Sequence, residues 1–210
     1  MTASLPVSPT ETETFVSNIA ATARNAIEAG YLAEGVLWYE NYRWYLSRWG
    51  DLTRMAGIFA ALSPQKSISE NTRLFIRGRA NGRNSGHTDL FCGKADAIAE
   101  MEDISHDAIH RVLARALVKT PSFFQNLIGN ETEFVTIDRH AVAVAYNRSF
   151  NKGDAAPRLQ NVKIYNIFRD AYIEAASIIS DEIGHVITPA QLQAIVWVYW
   201  RTLPRRTRRG

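Results

Sequence analysis

Cysteine is almost missing: Cys92 is the only one in 210 residues. That excludes an intrachain disulfide, a zinc site of several thiolates and an iron–sulfur cluster held by four cysteines. It fits a reducing compartment, so a cytoplasmic location is expected, the host's cytoplasm if the chain is viral. No apolar run approaches the roughly 18 residues that span a bilayer, so no membrane partner is expected. Met1 to Pro9 lacks a basic flank and an apolar segment, so no secretory signal is expected either. Phosphate-cradling glycine motifs are missing too, with neither GxGxxG nor a P-loop in the chain. There is no HExxH and no nucleophile elbow. Charged residues make up 21%, too few for a disordered chain, and 46% hydrophobic residues are ordinary for a globular one.

The charge that is present is unevenly placed. Arg201, Arg205, Arg206, Arg208 and Arg209 lie in the last ten residues with no acid among them. They are five of the 24 Lys and Arg, which leaves 19 against 21 acids, so the body is close to neutral and residues 202–210 read as a basic tail. A second basic stretch holds Lys66, Arg73, Arg77, Arg79, Arg83 and Lys94 against Glu70 and Asp89. A solvated face explains either cluster alone. Together they tilt toward neutralising nucleic-acid phosphates.

Periodicity and capping residues predict helix after helix. Ser8-Pro9-Thr10-Glu11 is a capping box with Pro at the first helical position, and Gly30 ends that helix. Residues 36–49 form an aromatic-rich helix with Trp38, Tyr39, Tyr42, Trp44, Tyr45 and Trp49, rings that suit core packing or a stacking platform for bases. Asp51 caps a helix to Leu62. Others are predicted over 67–80, from Thr88 to Met101, from Ser105 to Val118, and from Thr120 to Gly129. Asp138 caps one to Phe150, residues 151–157 form a loop, Leu159 to Ile183 is a long helix, and Thr188-Pro189 opens the last, to Arg201. Only Glu133 to Ile137 could pass for a strand. The expectation is an all-α, two-lobed helical globule of about nine or ten helices, one domain over 1–201 with the tail behind it.

Candidate chemistry is sparse. His106 and His110 are spaced i, i+4, which suits a metal, but a surface pair is the commoner meaning of that spacing. No metal or cofactor is expected. Cys92 sits in a helical pattern and reads as buried and inert. One constellation stands apart. Lys119 precedes a short helix closing at Gly129, and Asp138 follows nineteen positions after the lysine at the start of another helix. An amine in a partly apolar cleft can act as a nucleophile, and a neighbouring carboxylate can orient it or stabilise a cationic sugar. The plain alternatives are an exposed lysine, a helix-capping aspartate and a packing role for His140.

This order of features resembles the helix-hairpin-helix DNA glycosylase superfamily, the group of endonuclease III and 8-oxoguanine glycosylase. The late motif is Lys119, Gly129 and Ile137-Asp138-Arg139-His140, and an earlier one is Ala61-Leu62-Ser63-Pro64-Gln65. The likeness covers about residues 55 to 150 and the last helix. Gln191-Leu192-Gln193-Ala194-Ile195-Val196-Trp197 is also similar to the ending of a phage branch of that superfamily, the predicted thymine-pyrophosphorylase or amino acid:DNA transferase group. One departure stands out. The family's hairpin is usually Leu-Pro-Gly-x-Gly before the lysine, whereas Ala114 to Val118 carries no glycine and cannot take φ > 0 cheaply.

The resemblance implies an all-α fold of two helical lobes, DNA as partner, and base excision with or without lyase activity. It implies that Asp138 and Lys119 are catalytic, that Gln65 enters the gap left by an extruded nucleotide, and that Ser63 and His140 support the site. Arg73, Arg77, Arg79, Arg139, Arg205 and Arg206 would meet the DNA backbone. Two alternatives remain at this point: a phage-type enzyme substituting a hypermodified thymine at its 5-methylene group, and a non-enzymatic helical DNA-binding protein that uses its arginine tail. The target base and the oligomeric state stay open.

Overall fold

The computed structural model describes residues 9–114, 118–150, 155 and 158–204. The protein is all-α: the described residues contain helices and no strand. Eleven helices have both ends within the described residues. They are α1 (Pro9–Glu28), α2 (Leu32–Val36), α3 (Trp38–Ser47), α4 (Leu52–Leu62), α5 (Ile68–Asn81), α6 (Asp89–Glu100), α7 (His106–Ala114), α8 (Lys119–Leu127), α9 (Arg139–Ala145), α10 (Val162–Ile183) and α11 (Pro189–Thr202). Among the described residues, none is long and apolar enough to cross a membrane. The chain divides into two compact units. One joins residues 1–39 to residues 130–210, and the other is the continuous insert 40–129.

Within the insert, α4 is the centre. Met55 to Leu62 are all buried, so the helix is enclosed on every side rather than along one stripe. It packs against α5, α6, α7 and α8. Gly57 allows a close approach by α7 and α6, since a Cβ there would meet Ile109 Cγ2 at 2.7 Å and Ile98 Cγ2 at 3.1 Å. Phe59 and Phe75 pack edge to face at 5.7 Å, and Tyr42 and Phe123 add rings to the same layer.

In the unit formed by both ends of the chain, α1 lies along α10 and also touches α9 and α11, while α2 packs on α11. Phe168, Ala171, Tyr172, Ala175 and Ile179 supply the buried stripe of α10 at helical spacing. Gly35 lets α2 meet the backbone of α11 at Ile195, where any Cβ would collide.

Several predicted boundaries shift, each for a local reason. The helix expected over 36–49 is α3, Trp38–Ser47, and an unpredicted short helix, α2, precedes it across the break at Leu37. The long helix begins at Val162 instead of Leu159. Asn161 caps it, its Oδ1 accepting from Lys163 N and Ile164 N at 3.0 and 3.3 Å. The helix after Asp138 ends at Ala145, not Phe150, with Asn147 at φ +49° just beyond it. Thr88 precedes α6 but makes no side-chain cap bond. Glu133 to Ile137 is irregular backbone, not a strand. Tyr165 Oη pins it by donating to Val135 O at 2.9 Å and accepting from Ile137 N at 3.0 Å. Most other predicted starts and stops hold to within a residue or two, and the starts at Ser67 and Thr188 are capping boxes with Glu70 and Gln191. The Ser8 cap, the end of the predicted 105–118 helix at residues 115–117, most of the predicted 151–157 loop, and residues 205–210 of the tail lie outside the described residues.

Candidate functional site

Asp138 is the best-defined polar centre of the unit built from the two chain ends. It caps α9, and its Oδ1 accepts from both His140 N and Ala141 N at 2.8 Å. The second oxygen is held from another helix, with Trp197 Nε1 donating to Oδ2 at 3.1 Å. Three N–H donors therefore fix the orientation of one half-buried carboxylate. α9 is anchored in turn. Asn18 Nδ2 donates to Ala145 O at 2.8 Å, satisfying a carbonyl that the helix end would leave orphaned. Val142, Val144 and Ala145 are fully buried.

The surroundings of Asp138 are aromatic. Trp38 meets Trp197 edge to face at 5.7 Å, and the Arg201 guanidinium lies over the Trp197 ring at 4.2 Å. Tyr39 is buried and donates to Gln193 Oε1 at 3.1 Å. Burial pushes the Tyr39 phenol well above its ordinary range, and the Asp138 charge adds to that. Tyr172 is raised for the same two causes, burial first. Both phenols are thus held neutral, as hydrogen-bond donors. The segment 191–197 is fully engaged here. Gln191 closes the capping box of α11, Gln193 accepts from Tyr39, and Trp197 donates to the carboxylate. Sequence reasoning named this segment but none of its residues as part of a site. An indole N–H four positions after a buried amide was the only available signal.

The other predicted residues fall as follows. His140 is half-buried in the first turn of α9, and Arg139 is exposed beside it. Lys119 belongs to the insert and is the first residue of α8, half-buried, with its Nζ 6.0 Å from the Phe123 ring. α8 begins without a side-chain cap, and a cation in its first turn opposes the helix dipole. Every residue from Thr120 to Leu127 is buried, including Thr120, Ser122, Gln125 and Asn126. The carboxyl end of the helix is held by Arg43, whose Nη1 donates to Asn126 O at 3.2 Å.

Ser63 and Gln65 lie in the turn after α4. Lys66 N donates to Ser63 O at 3.3 Å, with Pro64 and Gln65 at the two central positions. Gln65 has φ +62°, the place where a turn of this kind favours Gly or Asn, and it is exposed at the tip. Holding a glutamine there costs about 1–2 kcal/mol. Ser63 is buried with no partner for its hydroxyl among the described residues. Arg73 and Arg77 are exposed on α5, whereas Arg79 is half-buried, has an unpartnered Nε, and has its pKa lowered by desolvation. Arg205 and Arg206 lie outside the described residues. Cys92 is buried and free.

No curated protein and no solved structure matches this chain. Residues 1–204 match one family along nearly their whole length, and the chain accordingly belongs to the family of unknown function DUF7178.

Proposed function

We propose that this protein is a DNA base-excision enzyme, a glycosylase that removes a damaged or modified base. The observation that carries the reading is the Asp138 carboxylate, capping a helix in an Ile-Asp-x-His context and locked by an indole from the last helix. A fixed anion of this kind suits a sugar that becomes cationic as its glycosidic bond breaks. Support comes also from two places where a local rule is broken. A cation opens α8 at Lys119, and a non-glycine residue occupies the left-handed position at Gln65.

In this mechanism the target nucleotide leaves the stack and Gln65 enters the gap, at a cost of a few kcal/mol for unstacking. Asp138 stabilises positive charge at C1′ while the base departs with the bonding electrons and takes up a proton. The Lys119 amine adds to C1′ and loses a proton. Ring opening then gives a Schiff base, with the proton ending on O4′. Loss of a C2′ proton with expulsion of the 3′ phosphate cuts the strand, and water releases the lysine. If water takes the place of the amine, the base is released and the strand stays intact. The test is mass spectrometry of DNA substrates carrying varied modified bases. A free base that appears with the wild type and not with Asp138→Asn supports the reading, and no free base from any substrate rejects it.

A second reading has one observation in its favour. The segment that is similar to the phage branch, 191–197, is the one that holds Asp138. On that reading the carboxylate serves substitution at the 5-methylene of a hypermodified thymine, and the same assay reports an intact altered nucleoside instead of a free base.

A further inference from the structure

We propose that the outer surface of α3 and its carboxyl end form a stacking site for unpaired nucleotides of a single-stranded DNA segment. Most of the aromatic residues of 38–49 are taken up in packing. Tyr39 is buried, and Tyr42 lies on Phe59 at 5.4 Å. Two are not. Trp44 is 64% exposed and Trp49 is 39% exposed. Trp49 is set rigidly, edge-on to Phe75 at 5.7 Å and beside Tyr45 at 6.4 Å. Trp44 carries the Arg48 guanidinium over its ring at 4.9 Å.

Charge selects the occupant. Residues 40–83 hold eight Lys and Arg against Glu40, Asp51 and Glu70. Two of those acids are occupied: Asp51 caps α4, and Glu70 closes the capping box of α5. Glu40, one turn before Trp44, is the remaining acid. Arg48, Arg73 and Arg77 are exposed and make no ion pair among the described residues. Trp49 packs on the helix that carries Arg73 and Arg77. An exposed indole carrying an unpaired guanidinium, Trp44 with Arg48, within a basic stretch matches a chain of bases on a phosphate backbone, because every base offers a π-face and every linkage a charge. A lipid surface asks for aliphatic side chains on the same face. Ile76, 40% exposed, is the exposed large aliphatic residue of α5.

The site does not depend on excision chemistry, although a flanking single strand would serve an enzyme that opens duplex DNA. The experiment uses the full chain and a short fluorescein-labelled oligothymidylate, read by anisotropy and by quenching of tryptophan emission. Trp44→Ala is expected to weaken binding roughly tenfold or more, the loss of one stacked base. Trp44→Phe should keep most of the affinity, and Arg48→Gln should lower the salt dependence. An unchanged thermal midpoint verifies that this exposed position leaves the fold intact. Three results overturn the proposal: a wild type that ignores the oligomer, equal affinities for wild type and Trp44→Ala, or a Trp44→Ala defect seen only with phosphatidylserine vesicles or in self-association. If oligomer binding is lost in Trp44→Ala while no base is ever released, this site stands and the excision reading falls.

Discussion

Replacing Asp138 by Ala and by Asn separates its capping role from its chemistry. The carboxylate accepts three hydrogen bonds, two from the first turn of α9 and one from Trp197 Nε1. Alanine removes all three. Loss of the cap costs about 1 kcal/mol. The half-buried indole N–H loses its acceptor, which adds about 1 kcal/mol. For a chain of this length, a total of about 2 kcal/mol lowers the thermal midpoint by roughly 4–8 °C. Asparagine keeps the cap, because its carbonyl oxygen serves both backbone N–H groups. Its amide nitrogen then faces the indole donor to donor, so the expected loss is about 1 kcal/mol or less. Catalysis should follow a different order. Both variants remove the anion, so both should lose base release by roughly two to three orders of magnitude. Thermal unfolding by circular dichroism and base release by mass spectrometry are measured on the same preparations. A stable Asp138→Asn that releases base at the wild-type rate reduces Asp138 to a helix cap. An Asp138→Ala with an unchanged midpoint contradicts the geometry itself.

Gln65→Gly should raise stability by about 1 kcal/mol in urea unfolding, by relieving the left-handed strain, and should slow any reaction that extrudes a nucleotide. A stabilised variant with full activity would leave the strain without a purpose. Tyr165→Phe strips the buried partners of Val135 O and Ile137 N and should destabilise by roughly 2–4 kcal/mol, read by the same unfolding curves. Glu70 titrates below the ordinary carboxylate range because Ser67 bonds to it through its hydroxyl and its amide. Its folded pKa lies below the unfolded one, so its contribution is present above the unfolded value and is lost as pH falls through the folded value. Glu70→Gln keeps the capping box but not the charge, so it should lose that contribution at neutral pH and flatten that part of the acid limb in unfolding measured against pH.

The helices were legible because their ends are written in short-range chemistry. Asp51, Ser67 and Thr188 each receive the backbone N–H of their own first turn, and Gly82 and Gly184 end helices at positive φ. Asn161 carries the same signal, but it is masked by an apolar pattern that runs on through Leu159. Residues 133–137 have strand-like composition, but the phenol that satisfies their backbone comes from thirty positions away. No local pattern announces such a partner. The site divides in the same way. Asp138 was visible as a cap at a motif-like spacing. Trp197 and Gln193 were not, because their roles come from α11 meeting residues that lie 59 and 154 positions away in the chain. The central position of α4 follows from its unbroken apolar run, yet which helices enclose it is settled by tertiary packing around Gly57.

Borohydride trapping on DNA carrying a panel of modified bases tests the central claim most directly. The wild type should form a covalent protein–DNA adduct on at least one of them, through reduction of the Schiff base at Lys119, and Lys119→Gln should form none. An adduct of equal yield in both proteins, or none from the wild type on any substrate together with no released base, contradicts it.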